Sequence, residues 1–251
     1  MSLLRLIARL DIKGPNVVKG IQMEGLRVVG KPSELAKRYA ESGADEILYL
    51  DTVATLYGRN QLEGLLEQTS EEVFIPITVG GGIKSLQDAR NLLRAGADKV
   101  AVNTAAIRQP EIVRAISGSC GAQALVISIE AKRHSRGWEA YTDNGRERTG
   151  KDAIQWAEEA VSLGAGEILI TSIDQDGTRR GCDLPLINAL KGLPVPVTAC
   201  GGVGTVEHLR EALNAGADAV AIGSALHYGD LELKQLRTFY DEQRRRTGIL
   251  A

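Results

Sequence analysis

Apolar residues along this chain fall into eight short runs separated by longer amphipathic stretches. The runs cover 4–12, 46–51, 75–79, 99–103, 124–130, 167–172, 195–200 and 219–223. They are rich in Val, Ile and Leu and nearly continuous, as parallel strands buried on both faces are. The stretches between them, such as PSELAKRYAESG (32–43) and DAIQWAEEAVSLG (152–164), have helical spacing and a charged outer face. Several end in Gly, a common helix stop, and Pro32 and Pro110 sit where helices begin. Eight strands alternating with helices predict an α/β fold: a single (β/α)8 TIM barrel spanning 1–251. One polar, turn-rich segment, HSRGWEAYTDNG (134–145), interrupts the alternation and predicts a small hairpin after the fifth strand.

The pattern also repeats. GGGIKSLQDARNLLRAGADKVAVNT (80–104) aligns without gaps with CGGVGTVEHLREALNAGADAVAIGS (200–224), with about ten of some twenty-five positions identical. GADEILYLD (43–51) echoes GAGEILITS (164–172), and IARLDIK (7–13) echoes VISIEAK (126–132). Two half-barrels, near 1–120 and 121–245, are expected, each with four strand–helix units.

Composition narrows the function. A hydrophobic content of 43% supplies a sizeable core. A net charge of −2 gives no long-range field for nucleic acid or an anionic membrane, so neither is expected as a partner. No apolar run approaches the roughly 18 residues that span a bilayer. The opening MSLLRLIARLD is too short and too soon charged for a signal peptide. Cys120, Cys182 and Cys200 lack metal-ligand spacing and are odd in number, which predicts reduced thiols and a cytoplasmic protein.

Barrel chemistry sits at the C-terminal ends of the strands. The polar residues there are Asp11, Asp51, Asn103, Thr104, Glu130, Thr171, Asp174, Asp176 and Ser224. Asp11 and Glu130 occupy equivalent ends of strands one and five. Opposed carboxyls across one pocket suit general acid and general base work. The plainer alternative is that each caps a loop or pairs with Lys13, Lys19 or Lys132. The glycine-rich turns are a second signal: Gly81 and Gly82 follow strand three, and Gly201 and Gly202 follow strand seven. Asn103–Thr104 and Gly223–Ser224 end strands four and eight. Small residues let backbone N–H groups approach phosphate oxygens, although glycines also simply permit tight turns. Two such sites across one mouth predict a long substrate with a phosphate at each end.

LDIK followed by VVKG, GGGI, GADKVAVNTAA, GAGEILITSIDQDGT, ACGGVG and GADAVAIGSALHY together resemble the cyclase subunit family of imidazole glycerol phosphate synthase, end to end. The related isomerase of histidine synthesis matches less well after strand six. The resemblance implies a barrel that takes ammonia from a separate glutaminase docked on the N-terminal face. Ammonia passes through the barrel and attacks a bis-phosphorylated aminoimidazole-carboxamide ribonucleotide, which is cleaved and cyclised. It implies Asp11 and Glu130 as the catalytic pair. Substrate contacts fall on Lys19, Asp51, Gly81, Gly82, Asn103, Thr104, Thr171, Asp176, Gly201, Gly202, Gly223 and Ser224. A charged gate falls on Arg5, Glu46, Lys99 and Glu167, with Asp98 nearby. No cofactor or metal is implied.

Two positions depart from that family. Its second catalytic aspartate is here Glu130, and a small Cys is here Arg9. One methylene moves a carboxylate by roughly 1.5 Å, enough to matter in catalysis. Arg9 and Asp11 point the same way along strand one. A buried cation needs a partner, so an Arg9–Glu130 ion pair within about 4 Å is expected, with Glu130 held ionised and cyclisation impaired. GPNVVKG (14–20) and TLYGRN (55–60) also differ, and resemble a paralogous branch associated with amidination of surface sugars. Three readings follow: the cyclase subunit, an ammonia-delivering subunit with another acceptor, and a sister-type sugar-phosphate isomerase.

Overall fold

Strand β1 (Arg5–Lys13) illustrates how the apolar runs are used. Leu6, Ala8, Leu10 and Ile12 belong to the large core shared with the helices, whereas Ile7 belongs to a smaller inner cluster. Arg9 and Asp11 lie on the side of Ile7, because side chains alternate across a strand. The fifth barrel strand does the same. Leu125, Ile127 and Ile129 face the large core, and Val126 joins the inner cluster with Ser128 and Glu130 on its side. Continuity in sequence is thus two interleaved patterns of period two, each buried against a different layer. Fully burying one such Leu or Ile side chain contributes about 1.5–3 kcal/mol.

The computed structural model describes residues 5–53 and 62–246. Two strands after β1, β2 (Asn16–Ile21) and β3 (Glu24–Gly30), form a hairpin on it; then come β4 (Glu46–Asp51), β5 (Ile77–Gly80), β6 (Lys99–Val102) and β7 (Leu125–His134). A second hairpin, β8 (Gly137–Thr142) and β9 (Glu147–Asp152), is followed by β10 (Glu167–Ser172), β11 (Val197–Cys200) and β12 (Ala219–Ile222). The parallel order β1–β4–β5–β6–β7–β10–β11–β12 returns to β1 and closes an eight-stranded barrel. Helices α1 (Pro32–Glu41), α2 (Leu62–Ser70), α3 (Leu86–Arg94), α4 (Thr104–Arg108), α5 (Glu111–Cys120), α6 (Ala153–Ser162), α7 (Leu184–Ala189), α8 (Val206–Ala215), α9 (Ser224–His227) and α10 (Leu233–Arg246) lie between and after the strands. This is the (β/α)8 architecture that the pattern predicts.

The hairpin expected at 134–145 is present and longer, running from β7 to Asp152. The hairpin at 16–30 was not foreseen: GPNVVKG reads as loop, but Val17 and Val18 pack inward while Asn16 and Ile21 stay wetter. TLYGRN (55–60) lies outside the described residues. The repeated segments adopt matching backbones. Ser85 caps α3 by accepting from the Asp88 N–H, and Thr205 caps α8 by accepting from the His208 N–H, each at 3.2 Å. Such caps contribute about 1 kcal/mol.

Candidate active site

Four charged side chains are buried together at the C-terminal end of the barrel. The β1–β2 hairpin folds Lys19 back over Asp11, and the Lys19 ammonium donates to Asp11 Oδ2 at 2.9 Å. It also donates to both oxygens of Asp176, at 2.8 and 3.0 Å, from the loop after β10. The second Asp11 oxygen accepts from Arg9 Nε at 2.8 Å. Arg9 Nη1 reaches Thr171 Oγ1 and Cys200 Sγ, both at 3.1 Å. Burial would raise the Asp11 carboxyl, but the adjacent Arg9 and Lys19 cations outweigh it and hold Asp11 well below the usual carboxylate range. The same pairs keep Lys19 protonated against its burial.

The expected Arg9–Glu130 ion pair is not formed. Arg9 folds along its own strand to Asp11 and leans toward β10 and β11. Glu130 instead accepts the Gly145 N–H at 2.7 Å, from the tip of the β8–β9 hairpin. Burial pushes its carboxyl up to about 7, although Gly145 and the more distant Arg9 pull the other way. The ion pair expected to keep Glu130 ionised is therefore absent, and its carboxyl is raised rather than lowered. A guanidinium two residues from Asp11 satisfies that anion more cheaply than a partner across the barrel.

Two clefts at this end are lined by the glycine turns, one on each side. The first, of about 310 Å³, is lined by Asp51, Gly81, Gly82, Asn103, Thr104 and Glu130 among others. The second holds only about 10 Å³, beside Lys19, Asp176, Gly201, Gly202, Gly223 and Ser224. The sequence-predicted residues thus gather in two groups. Asp11 and Thr171 line neither cleft but tie into the buried network through Arg9. The glycines are required by geometry. Gly81 has φ +108°, and a Cβ there would lie 2.6 Å from the Asp51 carbonyl oxygen; at Gly202, φ +96°, it would lie 1.9 Å from that of Gly181.

Equivalent positions explain the unequal volumes. In the echo of IARLDIK and VISIEAK, Arg9 corresponds to Ser128 and Asp11 to Glu130. Arg9 lines the small cleft and Ser128 the large one. The guanidinium that lines the small cleft also holds the neighbouring carboxyl ionised. The hydroxyl that leaves the other open gives its carboxyl no cation.

At the opposite end, Arg5, Glu46, Lys99 and Glu167 form a closed ring of alternating charge. Arg5 bridges Glu46 and Glu167 at 2.9 and 2.8 Å, and Lys99 bridges the same two at 2.8 and 2.9 Å. Thr78 and Thr198 each donate a hydroxyl to one of these carboxylates. Burial opposes the charge of Glu167, but Arg5 and Lys99 hold its carboxyl below the ordinary value. Asp98 is close by but serves the backbone, accepting the Ile77 N–H at 2.8 Å. Above the ring lies the inner apolar cluster of Ile7, Leu48, Ala101, Val126, Leu169 and their neighbours.

Sequence reasoning missed Ser128, Arg108 and Gly145. Period two from Glu130 points to Ser128 and one helical turn from Thr104 points to Arg108, but nothing local signals Gly145. Among the described residues no cluster of three His, Cys, Asp or Glu side chains could hold a metal ion, and no helix is long and apolar enough to cross a membrane.

A closed barrel with two glycine-turned clefts at one end matches a family model described as "Histidine biosynthesis protein" over residues 5–232. Imidazole glycerol phosphate synthase subunit HisF of Legionella pneumophila is 58% identical over 212 residues, covering 84% of this chain and all of that one. The HisF subunits of Exiguobacterium sibiricum and Thermococcus onnurineus are 47% and 46% identical over 240 residues, each covering 95% of this chain and 96% and 95% of their own lengths. The chain belongs to the family of the HisF subunit of imidazole glycerol phosphate synthase.

Proposed function

We propose that the chain is the cyclase-type subunit of imidazole glycerol phosphate synthase in histidine biosynthesis. It uses ammonia from a glutaminase subunit to cleave and cyclise a bis-phosphorylated aminoimidazole-carboxamide ribonucleotide. The observation that carries this reading is the pair of equivalent carboxyls, Asp11 and Glu130, set in opposite charge environments at one barrel mouth. A pair pushed apart in this way divides the work. Glu130, with a proton available near neutrality, gives and takes protons as the leaving group departs and the ring closes. Asp11, held as an anion by Arg9 and Lys19, offsets the positive charge that develops on the ammonia nitrogen as it adds to the reacting carbon. The glycine turns at Gly81–Gly82 and Gly201–Gly202, with Thr104 and Ser224, receive the two phosphates across the twofold of the half-barrels 1–120 and 121–245. The charged ring is the ammonia entrance, the glutaminase docks over it, and the inner apolar cluster lines the way upward. The setting is the cytoplasm.

The test is turnover of the bis-phosphorylated ribonucleotide by the purified chain with ammonium salt at high pH, following formation of imidazole glycerol phosphate. Because Glu130 is free of Arg9, turnover is expected in the unaltered protein. Absence of product at any ammonia concentration overturns the reading. One observation favours a second reading, delivery of ammonia to another acceptor such as a surface sugar: the second cleft, which Arg9 and Lys19 line, holds only about 10 Å³. Nothing favours the sister isomerase, which has no use for a charged entrance.

A further inference from the structure

The first cleft, of about 310 Å³, is lined by two cations, Lys84 and Arg108, that the proposed function does not use. Its charged lining residues are Asp51, Lys84, Arg108 and Glu130. Two carboxyls facing one cavity disfavour a phosphate unless a cation balances them. Arg108 lies one helical turn beyond Thr104 on α4, on the same face. It is held by two carboxylates of the β8–β9 hairpin, Asp143 and Glu147, each at 2.9 Å. The burial is lopsided: the Asp143 side chain is 5% exposed, that of Arg108 55%. Asp143 also takes the hydroxyl of Thr104, its N–H donating to Oγ1 at 3.2 Å with Oδ1 3.5 Å away. One carboxylate residue therefore engages both the side chains that a phosphate at Gly81–Gly82 would seek. It does so from a tip whose three residues, Asp143, Asn144 and Gly145, have φ of +54°, +59° and +74°.

We propose that Arg108 is a phosphate-contacting residue of the first cleft and that the Asp143 carboxylate competes with phosphate for it and for Thr104. The inference rests on the reading of this cleft as a phosphate site. Phosphate binding then draws Arg108 inward and frees the hairpin tip, which also carries the N–H donated to Glu130. Arrival of substrate is thereby felt at the proton-transferring carboxyl.

Two variants that break the same ion pair separate this from a structural role. Inorganic phosphate is titrated calorimetrically into wild type, Arg108→Ala and Asp143→Asn, with thermal unfolding as a folding control. Arg108→Ala should weaken binding on the order of tenfold or more, the loss of one charge-assisted contact. Asp143→Asn should tighten it several-fold. Glu147→Gln should tighten it less, because that carboxylate is exposed. Shifts of equal sign in Arg108→Ala and Asp143→Asn, or no shift in either, overturn the role of Arg108. Crystals of wild type soaked in phosphate tell that failure from a deeper one. An ion at Gly81–Gly82 and Thr104 leaves the cleft a phosphate site, whereas none at saturating phosphate removes both readings.

Discussion

The mouth at β5 and β6 and the mouth at β11 and β12 share a backbone and differ in charge. Each has paired left-handed glycines, a hydroxyl-capped helix behind them and a short helix after the next strand. Yet one encloses about 310 Å³ and the other about 10 Å³. The difference comes from one inward position, Ser128 against Arg9, and from the hairpin that follows each strand. The β2–β3 hairpin carries Lys19 into the smaller mouth, where Asp11 and Asp176 neutralise it. The β8–β9 hairpin brings Gly145 to Glu130 and keeps its own carboxylates on Arg108. A repeated backbone gives both clefts their glycine turns; unrepeated side chains set the charge environment of each carboxyl.

Removing the carboxyl proposed to transfer protons breaks the comparison most severely. Glu130→Gln should lower ammonia-dependent turnover by about 10²–10⁴-fold, the usual range for general acid–base catalysis. Steady-state assay of the purified variant checks this, and near-normal turnover would leave Glu130 without that role.

Making the mouths alike comes next. Arg9→Ser leaves the buried Asp11 and Asp176 with Lys19 alone, and should cost about 3–5 kcal/mol in urea unfolding. Adding Asp11→Asn should recover part of that loss. A single variant as stable as wild type would mean that the network tolerates the missing cation.

The raised Glu130 carboxyl predicts a pH dependence. Its folded-state value, about 7, lies above its ordinary 4.5, so its contribution is fully present below about 4.5 and is lost as pH rises through 7. Relative to Glu130→Gln, wild type should lose about 3 kcal/mol of stability across that window. Asp11 acts with the opposite sign: its stabilisation is present above its ordinary value and is lost as acid drives protonation. Parallel curves for wild type and Glu130→Gln between pH 4 and 8 would refute the perturbed carboxyl.

The smallest effect is expected at the far end, at the ring of charge proposed as the ammonia entrance. Lys99→Glu should reduce glutamine-dependent turnover on the order of tenfold, within common coupling energies, and ammonia-dependent turnover much less. Equal losses in the two assays would remove the gate.

Much of this protein is legible in one dimension. The strands, their inward and outward faces and the helices between them follow from spacings of two and of three to four residues, which are local and survive any tertiary arrangement. The glycine turns are legible because a left-handed φ beside a neighbouring backbone admits little else. The four ring charges are legible as residues at strand N-terminal ends, since a barrel gathers those ends in one place. Tertiary structure decided the partners. Alternation puts Arg9 and Asp11 on one face, but only the packed mouth makes Asp11, and not Glu130, the partner of the guanidinium. The raised carboxyl of Glu130 depends on its burial, and Arg108 meets Asp143 from 35 residues away. Periodicity is set by neighbours in the chain, whereas electrostatics is set by which long side chains reach a confined volume first.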